Sequence, residues 1–272
     1  MNPAHRPASR AAAWLLAALA LAGVLGLGGC ATTQDAHPRP TQRSDPWENW
    51  NRKVFAFNEG LDDRLLKPVA KTYVQIVPRV VRTGVDNIFN NFADAWSAVN
   101  NVLQGKGEPA FEDLIRVTAN TTLGFFGLLD WASQMGLEHH YEDFGQTLGR
   151  WGFAAGPYVV WPVLGASSVR DSVGLPLNLY VSPAVFVHTA AGQWAVSGLH
   201  LVSARADLLG ASQLLDEIAL DKYQFVRDAY LQRRRSLVYD GNPPEEPDPN
   251  DADGANSAAP PPANPASSPP AK

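Results

Sequence analysis

Between Trp47 and Leu61 the residues Trp47, Trp50, Val54, Phe57 and Leu61 return at steps of three and four, so they share one face of a helix. Asp45-Pro46-Trp47-Glu48 just upstream reads as its start, with Asp45 as cap, Pro46 at the first helical position and Glu48 three residues after the cap. Gly60 and Pro68 are expected to bracket its decline. A second stripe runs through Ile88, Phe89, Phe92, Trp96, Val99 and Leu103, with Asn90, Asn91, Asp94 and Asn101 on the opposite face and Gly105 and Gly107 as stop signals. A third helix starts near Glu108-Pro109 and uses Phe111, Leu114 and Ile115, with Asn120-Thr121-Thr122 beyond it. Two late helices fit residues 198–220 and 221–239, the latter ending in Arg233-Arg234-Arg235, where cations suit the helix dipole. Strand alternation is scarce. The pattern predicts a mainly α chain whose Gly/Pro-rich middle is the exception.

Amphipathic helices ordinarily pack their apolar faces into a globular core. Aromatic content pulls the other way. Trp47, Trp50, Trp96, Trp131, Trp151, Trp161 and Trp194 form a set expected where side chains meet hydrocarbon and a polar boundary together.

The two ends do not belong to this helical pattern. Residues 1–29 carry His5, Arg6 and Arg10 ahead of the uncharged apolar run Ala11 to Leu27, a secretory signal pattern that is short for a membrane span. The one cysteine, Cys30, ends that run in Leu-Gly-Gly-Cys, which resembles a bacterial lipobox whose Cys becomes the acylated first residue of the mature chain. The resemblance implies three acyl chains, enough for a stable anchor where one is marginal. Ala31 and Thr32 follow, and the lack of Asp at the second position resembles outer-membrane sorting in enteric bacteria. Residues 30–44 read as a polar tether, 45–240 as one folded domain, and 241–272, with ten of the 22 prolines and five acidic residues, as a disordered tail. Removing Arg6 and Arg10 from 22 basic residues leaves 20 against 27 acidic ones, a balance near −7. That disfavours nucleic-acid binding and simple adsorption to anionic lipid.

Catalytic motifs fail on context. Asp143-Phe144-Gly145 matches a kinase triplet, but no Gly-rich loop, Val-Ala-Ile-Lys strand or His-Arg-Asp loop precedes it. His139 and His140 beside Glu138, Glu142 and Asp143 lack a second ligand cluster at metal spacing. No Gly-x-Ser-x-Gly elbow or phosphate-binding Gly-Lys loop is present, and Ser167-Ser168 near Arg170-Asp171 reads as a cap or turn. The expectation is a protein without catalytic residues, metal or cofactor.

Four ordered blocks, 45–63, 73–91, 100–132 and 142–174, resemble the MlaA/VacJ family of outer-membrane lipoproteins. The resemblance implies a ring of amphipathic helices in the periplasmic leaflet of the outer membrane, enclosing an amphipathic channel, associated with trimeric porins. Its implied work is to maintain lipid asymmetry by removing mislocalised phospholipids from the outer leaflet and passing them to a periplasmic MlaC-like carrier. Within that frame, Gly152, Gly156, Pro157, Pro162 and Gly165 shape a bent apolar loop or hairpin beside the channel, with Trp151, Phe153, Tyr158 and Trp161 as its lipid-facing or gating surface. A buried hairpin without gating is the alternative. Asn58, Glu59, Asp62 and Asp63 are placed at the pore border, with an exposed helix terminus as the alternative, and Asp143, Arg150, Arg170 and Asp171 form a charged border that meets phosphate or, by preference, pairs internally. Two other functions compete with lipid transfer: an adaptor lipoprotein scaffolding porins or envelope complexes, and a lipid hydrolase, for which the nucleophile motif is lacking.

Overall fold

The computed structural model describes residues 44–244. The leader, Cys30, nearly all of the tether and the tail beyond Pro244 lie outside the described residues.

Helix α1 (Glu48–Leu61) begins after Trp47, whose side chain makes no capping bond. Asp45, expected as the cap, is instead 2% exposed, and its carboxylate accepts from Asn51 and from the Tyr223 hydroxyl. Interior donors outbid the helix terminus. The helix also does not end between Gly60 and Pro68. It passes through a π turn at Asp62–Leu66 into α2 (Lys67–Ile76). Pro68 lacks an amide and its ring would crowd the carbonyl four residues back; the wider turn, in which the Lys67 N–H reaches the Asp62 carbonyl, lets the chain continue.

Pro78 precedes α3 (Arg79–Leu103), which is longer than its apolar stripe. Gly105, at φ 75°, turns the chain into α4 (Gly107–Thr122), which packs along α3 and absorbs Asn120-Thr121-Thr122. A tight turn follows, with Phe125 and Phe126 at φ 53° and 61°. For a bulky L-residue each left-handed position costs about 1 kcal/mol. Short helices α5 (Trp131–Gln134) and α6 (Phe144–Arg150) are capped by Asp130 and Asp143.

The Gly/Pro-rich middle is an antiparallel hairpin of β1 (Tyr158–Trp161) and β2 (Gly165–Ser168), paired from Tyr158↔Ser168 to Trp161↔Gly165. Ser168 caps α7 (Val169–Tyr180) by accepting from the Asp171 amide, the turn role expected for that serine pair. A 3-10 turn (Pro183–Phe186) leads to α8 (Ala190–Asp207), α9 (Leu209–Ile218) and α10 (Lys222–Val238). Three helices thus replace the two expected: Gly198 sits inside α8, and the chain re-caps at Thr189 and Asp221.

An apolar cluster of Val54, Tyr158, Val160 and Tyr223 joins α1, the hairpin and α10. Among the described residues no helix is long and apolar enough to cross a membrane.

Candidate functional site

The long helices α3 and α4 are folded inside out. Their buried positions include Asn91, Asp94, Ser97, Asn100 and Asn101 on α3, with Asp113, Arg116 and Asn120 on α4. Val80, Val81, Val99, Val102, Phe111 and Leu114 are exposed. Only the middle of the α3 stripe packs inward in the ordinary way, where Phe89 stacks on His200, Phe92 meets Phe186 and the Trp96 indole donates to Asn178.

Arg116 organises this polar interior. Fully buried, it donates from Nε to Asp94 (3.0 Å), from Nη1 to the Leu137 carbonyl (2.6 Å) and from Nη2 to Asp130 (3.3 Å) and His139 Nε2 (2.6 Å). A guanidinium can only donate, so His139 accepts at Nε2 and donates from Nδ1 to Asp94 (2.8 Å). His140 turns to a different carboxylate, Asp113 (3.1 Å), which also accepts from Asn101. The adjacent histidines therefore serve two separate pairs, and no group that could hold a metal occurs among the described residues. Burial pushes the Asp113 carboxyl up, and the bonds from its partners do not fully offset this. Burial acts the same way on Asp130, but bonds from Ser133 and Asn120 and the Arg116 charge outweigh it and bring that group to about 2.

A second charged cluster sits beside the hairpin. Arg234 donates to both oxygens of Asp143 and of Asp171, while Arg170 Nε donates to Asp171 (3.0 Å) and the Tyr230 hydroxyl donates to it at 2.7 Å. Burial alone would raise the Asp171 carboxyl; the Arg234 charge and hydrogen bonds hold it below its usual value. Internal pairing is the arrangement expected for Asp143, Arg170 and Asp171, but the pivot, Arg234, is expected from sequence only at a helix end. The stripe Tyr223, Arg227, Tyr230, Arg234, Val238 carries the signal, repeating at steps of four, three, four and four. Arg150 is exposed at the last position of α6 and takes no part in the cluster.

Arg170, Asp171, Tyr230 and Arg234 of this cluster line a cleft of about 620 Å³ together with Gly152, Phe153 and Gly156. Gly152 (φ 94°) has open space around it, and Phe153 is 60% exposed. Gly156 (φ 69°) abuts Val169. Trp151 is half-exposed, anchored by its indole to the Leu103 carbonyl. Tyr158 is not on a lipid-facing surface: it is 0% exposed, its ring set among Tyr223 and Tyr230, because strand alternation and the Tyr158↔Ser168 pairing turn it inward. Trp161 is half-buried and donates to Ser172.

Asn58 holds the hairpin. Its amide donates to the Trp161 carbonyl (2.9 Å) and accepts from the Val163 amide (2.8 Å), supporting Val163 at φ 67°. Two helical turns earlier Asn51 does the same at the other end of β1, donating to the Tyr158 carbonyl and accepting from the Val160 amide. Side-chain amides thus satisfy the open edge of a two-stranded sheet.

The model of the family described as MlaA lipoprotein matches residues 43–237. The chain is 34% identical over 229 residues to the Haemophilus influenzae intermembrane phospholipid transport system lipoprotein MlaA, covering 82% of this chain and 90% of that one. The Escherichia coli protein of the same name is 33% identical over 245 residues, covering 86% and 93%. A solved structure concerned with the structural basis for maintenance of bacterial outer membrane lipid asymmetry is 36% identical with a TM-score of 0.62, covering 72% of this chain and all of that one.

Proposed function

The chain belongs to the MlaA lipoprotein family, and we propose that it is an outer-membrane lipoprotein, anchored through acylated Cys30, that removes mislocalised phospholipids from the outer leaflet. It passes them to a periplasmic carrier of the MlaC kind for intermembrane transport, sits in the periplasmic leaflet and associates with trimeric porins. No covalent bond of the lipid is broken.

The observation that carries this reading is the inverted polarity of α3 and α4. A phospholipid crosses a bilayer slowly because its charged head group must leave water, at a cost of several kcal/mol without polar partners. Helices with apolar outer faces are at home in lipid, since their backbone groups are satisfied internally. The inward Asn, Ser and Arg side chains are paired with one another, which holds α3 and α4 together while their apolar faces meet lipid. The cleft beside the hairpin, lined by Gly152, Phe153, Arg170 and Asp171, is where a head group would meet accessible polar groups.

Deleting the gene and measuring phospholipid in the outer leaflet tests this. Surface phospholipid and detergent sensitivity should rise, be restored by the full chain and not be restored by Cys30→Ala. Unchanged asymmetry in the deletion strain overturns the reading.

A further inference from the structure

The turn from Leu123 to Leu129 is an apolar projection held in an unfavourable backbone. Phe125, Phe126 and Gly127 are three consecutive left-handed residues, and the two phenyl rings are 72% and 81% exposed. Packing of these two rings within the chain therefore does not reward the conformation. Leu123, Leu128, Leu129 and Trp131 are exposed beside them.

Most backbone amides of the same turn are paired within the chain. The amides of Gly124, Phe126, Gly127 and Leu129 donate to the carbonyls of Ala119, Thr121, Asn120 and Gly124. Asn87 on α3 donates to the Leu128 carbonyl at 3.0 Å. Gly127 lies against Asn91, and a Cβ there would come within 2.9 Å of that side chain. No residue from 123 to 129 has a polar side chain, and Asp130, where polarity resumes, is drawn inward to Arg116, Asn120 and Ser133. A loop bathed in water needs none of this, whereas a loop in hydrocarbon needs all of it. A protein partner would ordinarily find polar groups here to fix its register, and the turn offers none.

We propose that the Leu123–Leu129 turn is a bilayer-inserting wedge whose partner is the acyl-chain layer of a lipid leaflet. The inference rests on the membrane-embedded reading of the function and adds to it a named depth anchor: the strained turn drives Phe125 and Phe126 into hydrocarbon and fixes how deep the neighbouring ends of α3 and α4 sit.

The test uses full-length lipoprotein in vesicles of phosphatidylethanolamine and phosphatidylglycerol, some carrying a nitroxide at mid-acyl chain. An environment-sensitive fluorophore is placed singly at Phe126→Cys, at Phe57→Cys on the exposed face of α1, and at Glu138→Cys on a polar exposed loop. Expected is blue-shifted emission at 126 with quenching several-fold stronger than at 138. A water-like signal at 126 together with a quenched one at 57 overturns the wedge and leaves the membrane reading standing. Water-like signals at both positions overturn the membrane reading and the wedge with it. Shielding at 126 that appears only on adding a protein overturns the wedge in favour of an interface. Phe125→Ser with Phe126→Ser, checked for retained helicity, should bring a label at Leu123→Cys back to a water-like signal; unchanged quenching there overturns the proposal.

Discussion

The hairpin side and the α3/α4 side of the molecule differ in what lies at the centre of each. Around β1 the centre of the interior is Val54, Tyr158, Val160 and Tyr223, with asparagines serving the strand backbone and buried charges (Asp45, Arg227, Arg170, Asp171) confined to its margin. Between α3 and α4 the interior is carboxylate, guanidinium, imidazole and amide, and the aliphatic residues face out. The first region is held by apolar burial, at about 25 cal/mol per Å². The second is held by mutual satisfaction of groups that would be costly alone, and its outward faces gain only if something apolar covers them.

Breaking the polar side should therefore hurt most. Arg116→Ala leaves the buried Asp94 with His139 alone and Asp130 without its guanidinium, so we expect a loss of about 3–5 kcal/mol in denaturant unfolding in mild detergent. Val160→Ala on the apolar side opens a cavity in a cluster that can partly collapse, with an expected loss of about 2 kcal/mol in the same assay. Acid weakens both regions without mutation, since Asp130 on one side and Asp171 on the other are both held below their usual values. Asp130 is held at about 2, below its unfolded value, so its contribution is fully present above the usual carboxylate range and disappears as pH falls through the folded value. Asp113, raised by burial, acts in the opposite sense and gains on protonation. In a variant retaining Trp131 as its one tryptophan, fluorescence beside Asp130 should change between about pH 4 and pH 2. The smallest effect belongs to Tyr158→Phe. The Tyr158 hydroxyl is buried with no hydrogen-bond partner among the described residues, so its removal should leave stability unchanged or raise it by up to about 1 kcal/mol. Gly152→Val tests the cleft separately: at φ 94° a β-branched residue strains the loop, so stability should fall by about 1–3 kcal/mol and lipid removal should fall even where the variant remains folded.

Helical periodicity is legible wherever apolar residues mark one face, and the long helices lie where those stripes are. Their ends are less so, because Pro68 reads as a stop unless a π turn absorbs it, and Gly198 reads as a boundary although its site in α8 leaves open space. The direction of each face cannot be read from periodicity, which gives the same stripe whether the surroundings are protein or lipid. Asp94 and Asn101 are therefore visible as a polar face, but their burial with Arg116 and Asp113 depends on residues 22 and 12 positions away. Asp143 and Asp171 suggest pairing from local charge; Arg234 lies 91 and 63 positions from them, beyond any local pattern.

The π turn at Asp62–Leu66 also sets the phase of the helix beyond it. One extra residue in a helical turn rotates every later position by about 100°. Before the turn, Asn51 and Asn58 look toward the hairpin; after it, α2 meets α8, and Asp62 itself is gripped by Arg205. A single rod thereby addresses two neighbours in different directions without a loop. In such a design the length of the 62–66 segment carries more information than the identity of its side chains. Losing one residue there would re-aim every contact of α2, a change that no substitution within the segment could imitate.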